Sequence, residues 1–294
     1  MRVVAVVVTY NRVELLKETL DAILSNNTLV SEIIVINNAS QDGTKQYLQN
    51  YKSEQLFPVH MACNLGGAGG FKYGIKLAEE RGAQWIWCMD DDCIPHSSAL
   101  TAMLDSIPSL GRFGEIGYLA SRVEWVDQTL CFMNIPVAHW LWSDTHREVP
   151  NASRIIGSSF VSILLNTNAV RTVGLPVSEF FIWFDDAEYS RRISSKYPCY
   201  LISNSVVVHK TPKNFLPLDY AQLNDDSLWK YKYGIRNEMS FHVYNGSYMN
   251  ALVFVFKNAR RLLKEKKHKY ILSVLGAIIS GLCFNYKKYI EYSG

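Results

Sequence analysis

The chain is short of most features that would place it in a specialised class. Its charges nearly cancel, with 30 Lys and Arg against 27 Asp and Glu and a net charge of +3, so nothing argues for nucleic acid as a partner. Charged residues are 19% and hydrophobic ones 48% of the 294 residues; that excludes a disordered chain and marks an ordered globular one. Six cysteines (Cys63, Cys88, Cys93, Cys131, Cys199, Cys283) follow no regular spacing and form no CxxC. A zinc site or a disulfide framework is therefore not expected; the thiols read as reduced, cytosolic, and in several cases core filling. No GxGxxG, Walker A loop, internal repeat or low-complexity segment occurs. The start, Met1 to Val8, is apolar but meets Asn11-Arg12 at once, so it reads as a buried first strand and not as a secretory signal. The apolar run Ile271 to Phe284 would span about 21 Å as helix, short of a hydrocarbon core of roughly 30 Å.

What is present is an alternation of strand and helix signals over the first hundred residues. Strands are expected at Val3–Val8, Ile33–Ile36, Pro58–Met61 and in the run Trp85-Ile86-Trp87-Cys88-Met89, with helices at Val13–Ser25, from Gln41 through Leu48, and at Phe71–Arg81. This order implies a mostly parallel sheet with helices on its faces. Ligands of such sheets gather at the carboxyl ends of the strands, where Thr9, Asn37, Asn64 and Asp90 all fall. Further on, Ser98–Ser106 reads as a helix; Ile116–Ala120, Ile155–Leu165, Tyr200–Ile202 and Val206–His209 read as strands. Small residues at Gly157-Ser158-Ser159 would let a ligand approach the backbone.

Two acidic clusters carry the chemistry. Asp90-Asp91-Asp92 ends a half-buried strand, and three adjacent carboxylates there are costly unless a cation or strong donors meet them. Mg²⁺ or Mn²⁺ suits oxygen ligands and tolerates a diphosphate in its shell. If strand geometry persists, Asp90 and Asp92 share one face and Asp91 the other. His209, closing a later strand, can complete such a shell. The second cluster, Asp185, Asp186 and Glu188, opens a helix behind Phe180, Phe181, Trp183 and Phe184. Helix capping explains one carboxylate but not the aromatic wall, which suits the C–H faces of a sugar while a carboxylate serves as general base. Between the clusters, Asn64-Leu65-Gly66-Gly67-Ala68-Gly69-Gly70 offers backbone N–H groups to a phosphate or sugar, or makes a tight turn.

Taken in order, Thr9-Tyr10-Asn11-Arg12, Asn37-Asn38-Ala39-Ser40-Gln41-Asp42-Gly43-Thr44, the glycine stretch with Phe71, Asp90-Asp91-Asp92 and Trp183-Phe184-Asp185-Asp186-Ala187-Glu188-Tyr189 resemble a family 2 inverting glycosyltransferase of the A-type fold over about the first 215 residues. The glycine loop, the Trp183–Tyr189 stretch and Tyr233-Gly234-Ile235-Arg236-Asn237 are most similar to the galactofuranosyltransferase branch. The resemblance implies an α/β fold with a nucleotide-binding, mostly parallel sheet, a catalytic part at 1–215 and a helical, basic region at 216–294. It implies Thr9, Arg12, Asn37, Asn64, Gly66, Gly67, Gly69, Gly70 and Asp91 at the donor nucleotide, and Asp90, Asp92 and His209 on Mn²⁺ or Mg²⁺. It further implies Asp186 as general base, with Asp185 and Trp183 orienting the acceptor and Glu188 beside it. Relatives often carry Asp where this chain has Asn37; Asn still offers a donor and an acceptor to a base edge.

The implied activity transfers galactofuranose from UDP-galactofuranose to a hydroxyl of a cell-surface glycan, lipid-linked by this reading, in a bacterial cytoplasm at the inner face of the membrane. The alternatives are a rhamnosyltransferase using dTDP-rhamnose, a retaining glycosyltransferase or nucleotidyltransferase on the same triplet, and a non-catalytic nucleotide- or glycan-binding subunit. A helix is expected at Met249–Tyr270, carrying Lys257, Arg260, Arg261, Lys264, Lys266, Lys267 and Lys269 against one Glu265. With the short apolar run after it, this reads as an anchor on an anionic membrane surface or a homo-oligomer contact; an ordinary buried helix beside a solvated basic one fits the periodicity equally.

Overall fold

The computed structural model describes residues 1–25 and 29–292. Ten strands run β1 (Val3–Thr9), β2 (Val30–Asn37), β3 (Leu56–His60), β4 (Trp85–Asp90), β5 (Cys93–Pro95), β6 (Tyr118–Glu124), β7 (Val137–Ala138), β8 (Ala152–Gly157), β9 (Ile163–Asn166) and β10 (Cys199–His209). The helices are α1 (Val13–Leu24), α2 (Thr44–Asn50), α3 (Gly66–Glu80), α4 (Ala99–Leu110), α5 (Thr167–Val173), α6 (Asp185–Ser194), α7 (Leu228–Tyr244), α8 (Tyr248–Lys264) and α9 (Ile271–Cys283). The strands lie in the order β3-β2-β1-β4-β9-β6-β10-β8-β7, with β5 pairing with β10. Pairs β3–β2, β2–β1, β1–β4 and β6–β10 are parallel, while β9 is antiparallel to both β4 and β6.

β1 is buried along its whole length, because both faces are covered. Val3, Ala5 and Val7 pack with Leu16, Leu20 and Trp87 on one side. Val4, Val6 and Val8 pack with Phe71, Ile75 and Ile86 on the other. The continuous valine run is what a doubly covered parallel strand requires. Registers pair Thr9 with Asn37, Asn37 with His60 and Val8 with Asp90, so the expected ligand-bearing residues stand in one row along the sheet's carboxyl edge. The antiparallel pairing of His209 with Cys93 brings the end of β10 beside Asp92.

Three local expectations are corrected. α3 starts at Gly66, not Phe71, so the glycines are its first turns. The expected strand Ile155–Leu165 is two strands, β8 and β9, with 158–162 between them. The two expected strands at 200–209 are one strand, β10, whose register shifts between Ile202 and Val206.

The C-terminal region has its own core, in which Leu218, Tyr220, Tyr231 and Ile235 meet Phe254, Leu262, Val274 and Ile278. The chain end returns to the sheet part: Leu175 N donates to Glu291 O at 2.7 Å, and Lys72 pairs with Glu291 at 2.7 Å. α8 ends at Lys264, with a short 3-10 turn at His268–Tyr270, so the single helix expected to Tyr270 is interrupted. Ala251, Phe254, Asn258 and Leu262 face inward on α8, while Leu252, Phe256, Lys257, Arg260, Leu263 and Lys264 are exposed. α9 likewise buries Val274, Ala277 and Ile278 and exposes Leu272, Leu275 and Ile279. None of the described helices is long and apolar enough to cross a membrane.

Candidate active site

A cavity of about 730 Å³ lies along the carboxyl ends of the strands and is closed by α6, α7 and the 211–218 segment. Asp90, Asp92 and His209 line one side; Trp183, Phe184, Asp185 and Asp186 line another. The two acidic clusters, more than ninety residues apart in sequence, thus share one space.

The alternation expected of the triplet holds. Asp90, Asp92 and His209 each offer a ligand atom within 4.8 Å of the others. Asp91 turns the other way, accepting from Thr9 Oγ1 at 2.8 Å, Tyr10 N at 3.3 Å and Arg12 Nη1 at 3.2 Å. Arg12 Nη1 also donates to Asp92 Oδ2 at 2.7 Å. Burial pushes the Asp90 carboxyl up, the Asp92 charge adds to it, and the result is about 7. Burial likewise raises Asp91 to about 6, against the pull of Arg12. At Asp92 burial also acts upward, but His209 and Arg12 outweigh it and the net direction is down.

His209 is held from behind. Its Nδ1 lies 2.8 Å from Asn134 Oδ1, and Asn134 Nδ2 donates to Ser159 Oγ at 2.8 Å. That chain puts a hydrogen on Nδ1 and turns Nε2 into the cavity, the orientation a ligating histidine needs. Nε2 lies 3.1 Å from Asp92 Oδ1, yet this buried oxygen has no well-aligned hydrogen-bond donor. Burial disfavours a charged imidazole, but the Asp92 carboxylate prevails and raises His209 to about 10. Two carboxylates and an imidazole nitrogen around an orphaned oxygen are a donor set that fits Mn²⁺ or Mg²⁺.

The second cluster rests on an unusual backbone. Phe181, Trp183 and Phe184 all have positive φ, at 64°, 63° and 73°, a conformation bulky residues avoid unless surroundings enforce it. Asn237, fully buried in α7, enforces it: Nδ2 lies 3.0 Å from Phe180 O, 3.3 Å from Ile182 O and 2.8 Å from Trp183 O. Arg236 Nη2 donates to Glu179 O at 2.6 Å and to Asn237 Oδ1 at 2.8 Å. On the other side Phe181 O accepts from Ala68 N at 3.2 Å. The result aims Asp185 and Asp186 into the cavity at the start of α6. Asp186 Oδ1 accepts from Ala187 N at 2.6 Å. Burial raises the Asp186 carboxyl, while the Ala187 N–H and the Arg191 charge oppose the rise. Asp185 is pushed up further, by burial and then by Asp186, with Asp90 adding to it. The helix start therefore does not hold these carboxyls down as the macrodipole alone would; burial is the larger effect.

Not every expected residue reaches the cavity. Glu188 turns away from it: both its oxygens bind Arg192 at 2.9 Å, and Arg192 also donates to Val173 O and Leu175 O. Its expected place beside an acceptor is corrected; it clamps α6 to the end of α5. Of the glycines, Gly67 lines the cavity with open space around it. Gly66 has φ +72°, and a Cβ there would fall 2.0 Å from Phe181 O. Gly69 is tight against Leu65, and a Cβ on Gly70 would meet Val8 Cγ1 at 2.6 Å. At these three positions close packing requires glycine. Thr9 and Asp91 are buried on each other. Asn37 Oδ1 accepts from Ser40 N at 2.9 Å and its Nδ2 lies 3.1 Å from His60 Nδ1. Asn64 Oδ1 accepts from Gly66 N at 2.8 Å. These residues shape the strand-end row beside the cavity rather than its wall.

Sequence reasoning missed Asn38, which ties the row together by accepting from Leu65 N at 2.9 Å and donating to Gly66 O at 2.8 Å. It also missed Asn134, Arg191 and Lys230. Arg236 and Asn237 stood in a recognised motif, but nothing in the spacing tied them to a loop more than fifty residues earlier.

A family model described as glycosyl transferase family 2 matches residues 4–117. The galactofuranosyltransferase GlfT1 of Mycolicibacterium smegmatis is 30% identical over 197 residues, which is 65% of this chain and 65% of that protein. The chain thus matches just under two thirds of the length of that relative. Among solved structures, GalNAc-T7 with UDP, GalNAc and Mn²⁺ superposes with a TM-score of 0.63 at 13% identity, over 84% of this chain and 50% of that one. The mannosyltransferase PcManGT from Pyrobaculum calidifontis, in complex with GDP-Man and Mn²⁺, gives 0.55 at 14% identity over 96% of this chain and 73% of that one. The architecture is the A-type glycosyltransferase fold expected from the sequence, with added C-terminal helices.

Proposed function

On the premise that residues 4–117 belong to glycosyl transferase family 2, we propose that the protein is a metal-dependent, inverting galactofuranosyltransferase. It moves the sugar of UDP-galactofuranose to a hydroxyl of a lipid-linked glycan. The observation that carries the reading is the facing of the Asp90–Asp92–His209 group and the Asp185–Asp186 pair across one cavity. The galactofuranosyl donor is supported by the likeness to GlfT1.

A divalent cation held by Asp90, Asp92 and His209 Nε2 would neutralise the leaving diphosphate and act as Lewis acid. Asn134 Oδ1 accepts from His209 Nδ1, which leaves Nε2 as the nitrogen from which a cation would displace the proton. Asp186 takes the acceptor hydroxyl proton while that oxygen attacks the anomeric carbon from the face opposite the diphosphate, and a single displacement inverts that centre. Burial raises the proton affinity of Asp186 above that of a free carboxyl, the direction that favours general-base work. Asp185, pushed up by burial and then by the Asp186 charge, stands beside it and would orient the acceptor. Trp183 offers its ring to the C–H face of the acceptor sugar.

Purified protein with Mn²⁺ and a lipid-linked glycan acceptor should consume UDP-galactofuranose. Turnover of dTDP-rhamnose in its place would move the donor assignment while leaving the reaction class; turnover of no nucleotide sugar, with binding retained, would make it a binding subunit. The exposed face of α8, with Leu252, Phe256 and Leu263 among Lys257, Arg260, Arg261 and Lys264, supports docking on an anionic bilayer at the cytoplasmic side. Each basic residue near such a surface contributes roughly 1 kcal/mol. Binding to anionic vesicles should weaken as salt rises, and equal binding to neutral vesicles would rule out the charge contribution.

A further inference from the structure

Arg12 occupies a position that the proposed cation must contest. Its Nη1 is 2.7 Å from Asp92 Oδ2 and 3.2 Å from Asp91 Oδ1, while Asp92 is also one of the three residues able to hold a metal. A guanidinium and a divalent cation on one carboxylate repel each other in a partly buried site. Across the same cavity stands Lys230, from α7. Among the described residues no carboxylate pairs with Lys230; its Nζ lies 5.5 Å from the Trp229 ring centre. Burial and then the nearby Arg12 charge lower its pKa. Two cations facing one cavity, one of them without a counter-ion, are an arrangement an anion would complete.

We propose that Arg12 is an internal competitor of the metal, released from Asp92 when the cation binds, and that it then closes with Lys230 on the donor diphosphate. Metal and diphosphate binding are thereby coupled. Without the anion, moving Arg12 off Asp92 opposes the cation; without the cation, Asp90 and Asp92 repel the anion. Bound together, each removes the obstacle to the other, which is reciprocal positive linkage. Lys230 makes the C-terminal helices part of the donor site. This inference rests on the metal-site reading above.

The test measures Mn²⁺ binding by electron paramagnetic resonance, with and without UDP, in wild type, Asp92→Asn, Arg12→Gln, Arg12→Lys and Lys230→Gln. Asp92→Asn should bind Mn²⁺ much more weakly, and if it does not, the metal-site reading falls and the coupling with it. Given that loss, Arg12→Gln should bind Mn²⁺ alone about tenfold more tightly, within the usual range of coupling energies, while UDP enhances Mn²⁺ binding far less than in wild type. Arg12→Lys keeps the charge and should bind Mn²⁺ alone as wild type does. Lys230→Gln should leave Mn²⁺ alone unchanged and weaken UDP in the presence of Mn²⁺. Arg12→Gln binding Mn²⁺ no tighter than wild type, with Asp92→Asn still defective, would overturn the competition and leave the metal site standing.

Discussion

Asp90–Asp92 and Asp185–Asp186 face the same cavity, yet only the first cluster is ringed by cations. Arg12 and His209 approach Asp92 within 3.1 Å, and Thr9 and Arg12 hold Asp91. Among the described residues no ion pair reaches Asp185 or Asp186; they have an aromatic wall, backbone N–H groups and the more distant charge of Arg191. Burial raises Asp90 to about 7 and Asp91 to about 6 as it raises Asp185 and Asp186, and only Asp92 goes down. Where cations stand by, Asp92 stays ionised and can take up a metal. Where they do not, burial raises both carboxyls, and the strained Phe180–Phe184 segment with its Asn237 brace sets their direction. Carboxylates alike in sequence thus differ in chemistry through what the fold places around them.

The comparison breaks first at Asp186. Asp186→Asn keeps shape and removes basicity, so kcat should fall roughly 10²–10⁴-fold while UDP binding in the presence of Mn²⁺ persists. Asp185→Asn should cost less, since an amide can still hydrogen-bond the acceptor. Single-turnover rates with a calorimetric binding check separate the two. The larger loss at Asp185 would exchange the roles.

Asp92→Asn sharpens the other side. Removing one of three metal-holding groups should lower turnover roughly 10²–10³-fold, for several kcal/mol of charge stabilisation, and the defect should shrink as Mn²⁺ is raised. The acceptor's KM should not move. Full turnover of the wild type in excess chelator would remove the distinction between the clusters altogether.

The first hundred residues were legible because their signals are local and periodic: doubly covered strands read as unbroken apolar runs, and the acidic triplet ends one of them. The second acidic cluster was legible as a helix start behind aromatics. The glycine stretch misled, since a loop composition concealed a helix whose first turns must pass close to Phe181 and Val8. Ser158–Ser162 broke an apparent strand because the cavity, not the apolar pattern, decides the path there. Asn134 and Lys230 carried no signal, and Asn38 and Asn237 stood in motifs that gave no hint of their contacts. Each is a single polar residue acting on atoms distant in sequence, and period-based reading has no access to such contacts.

Glu188 gives the smallest expected effect on chemistry and the cleanest control. It lies two residues after Asp186, within the same acidic run, and by sequence alone shares its claim to the acceptor. Two residues of helix turn a side chain by about 200°, so the two point to opposite faces. Asp186 faces the cavity, whereas Glu188 is buried in a two-pronged pair with Arg192, whose remaining donors reach Val173 O and Leu175 O. Breaking a buried ion pair from one side typically costs about 3–5 kcal/mol, because the partner charge is left uncompensated. Glu188→Gln keeps one acceptor, so its loss should sit at the lower end of that range and appear as an earlier urea midpoint. Turnover per folded molecule should stay near the wild-type value at a temperature where the variant is fully folded. A variant with an unchanged urea midpoint and a fallen kcat would place Glu188 in the chemistry and reverse its assignment as a clamp.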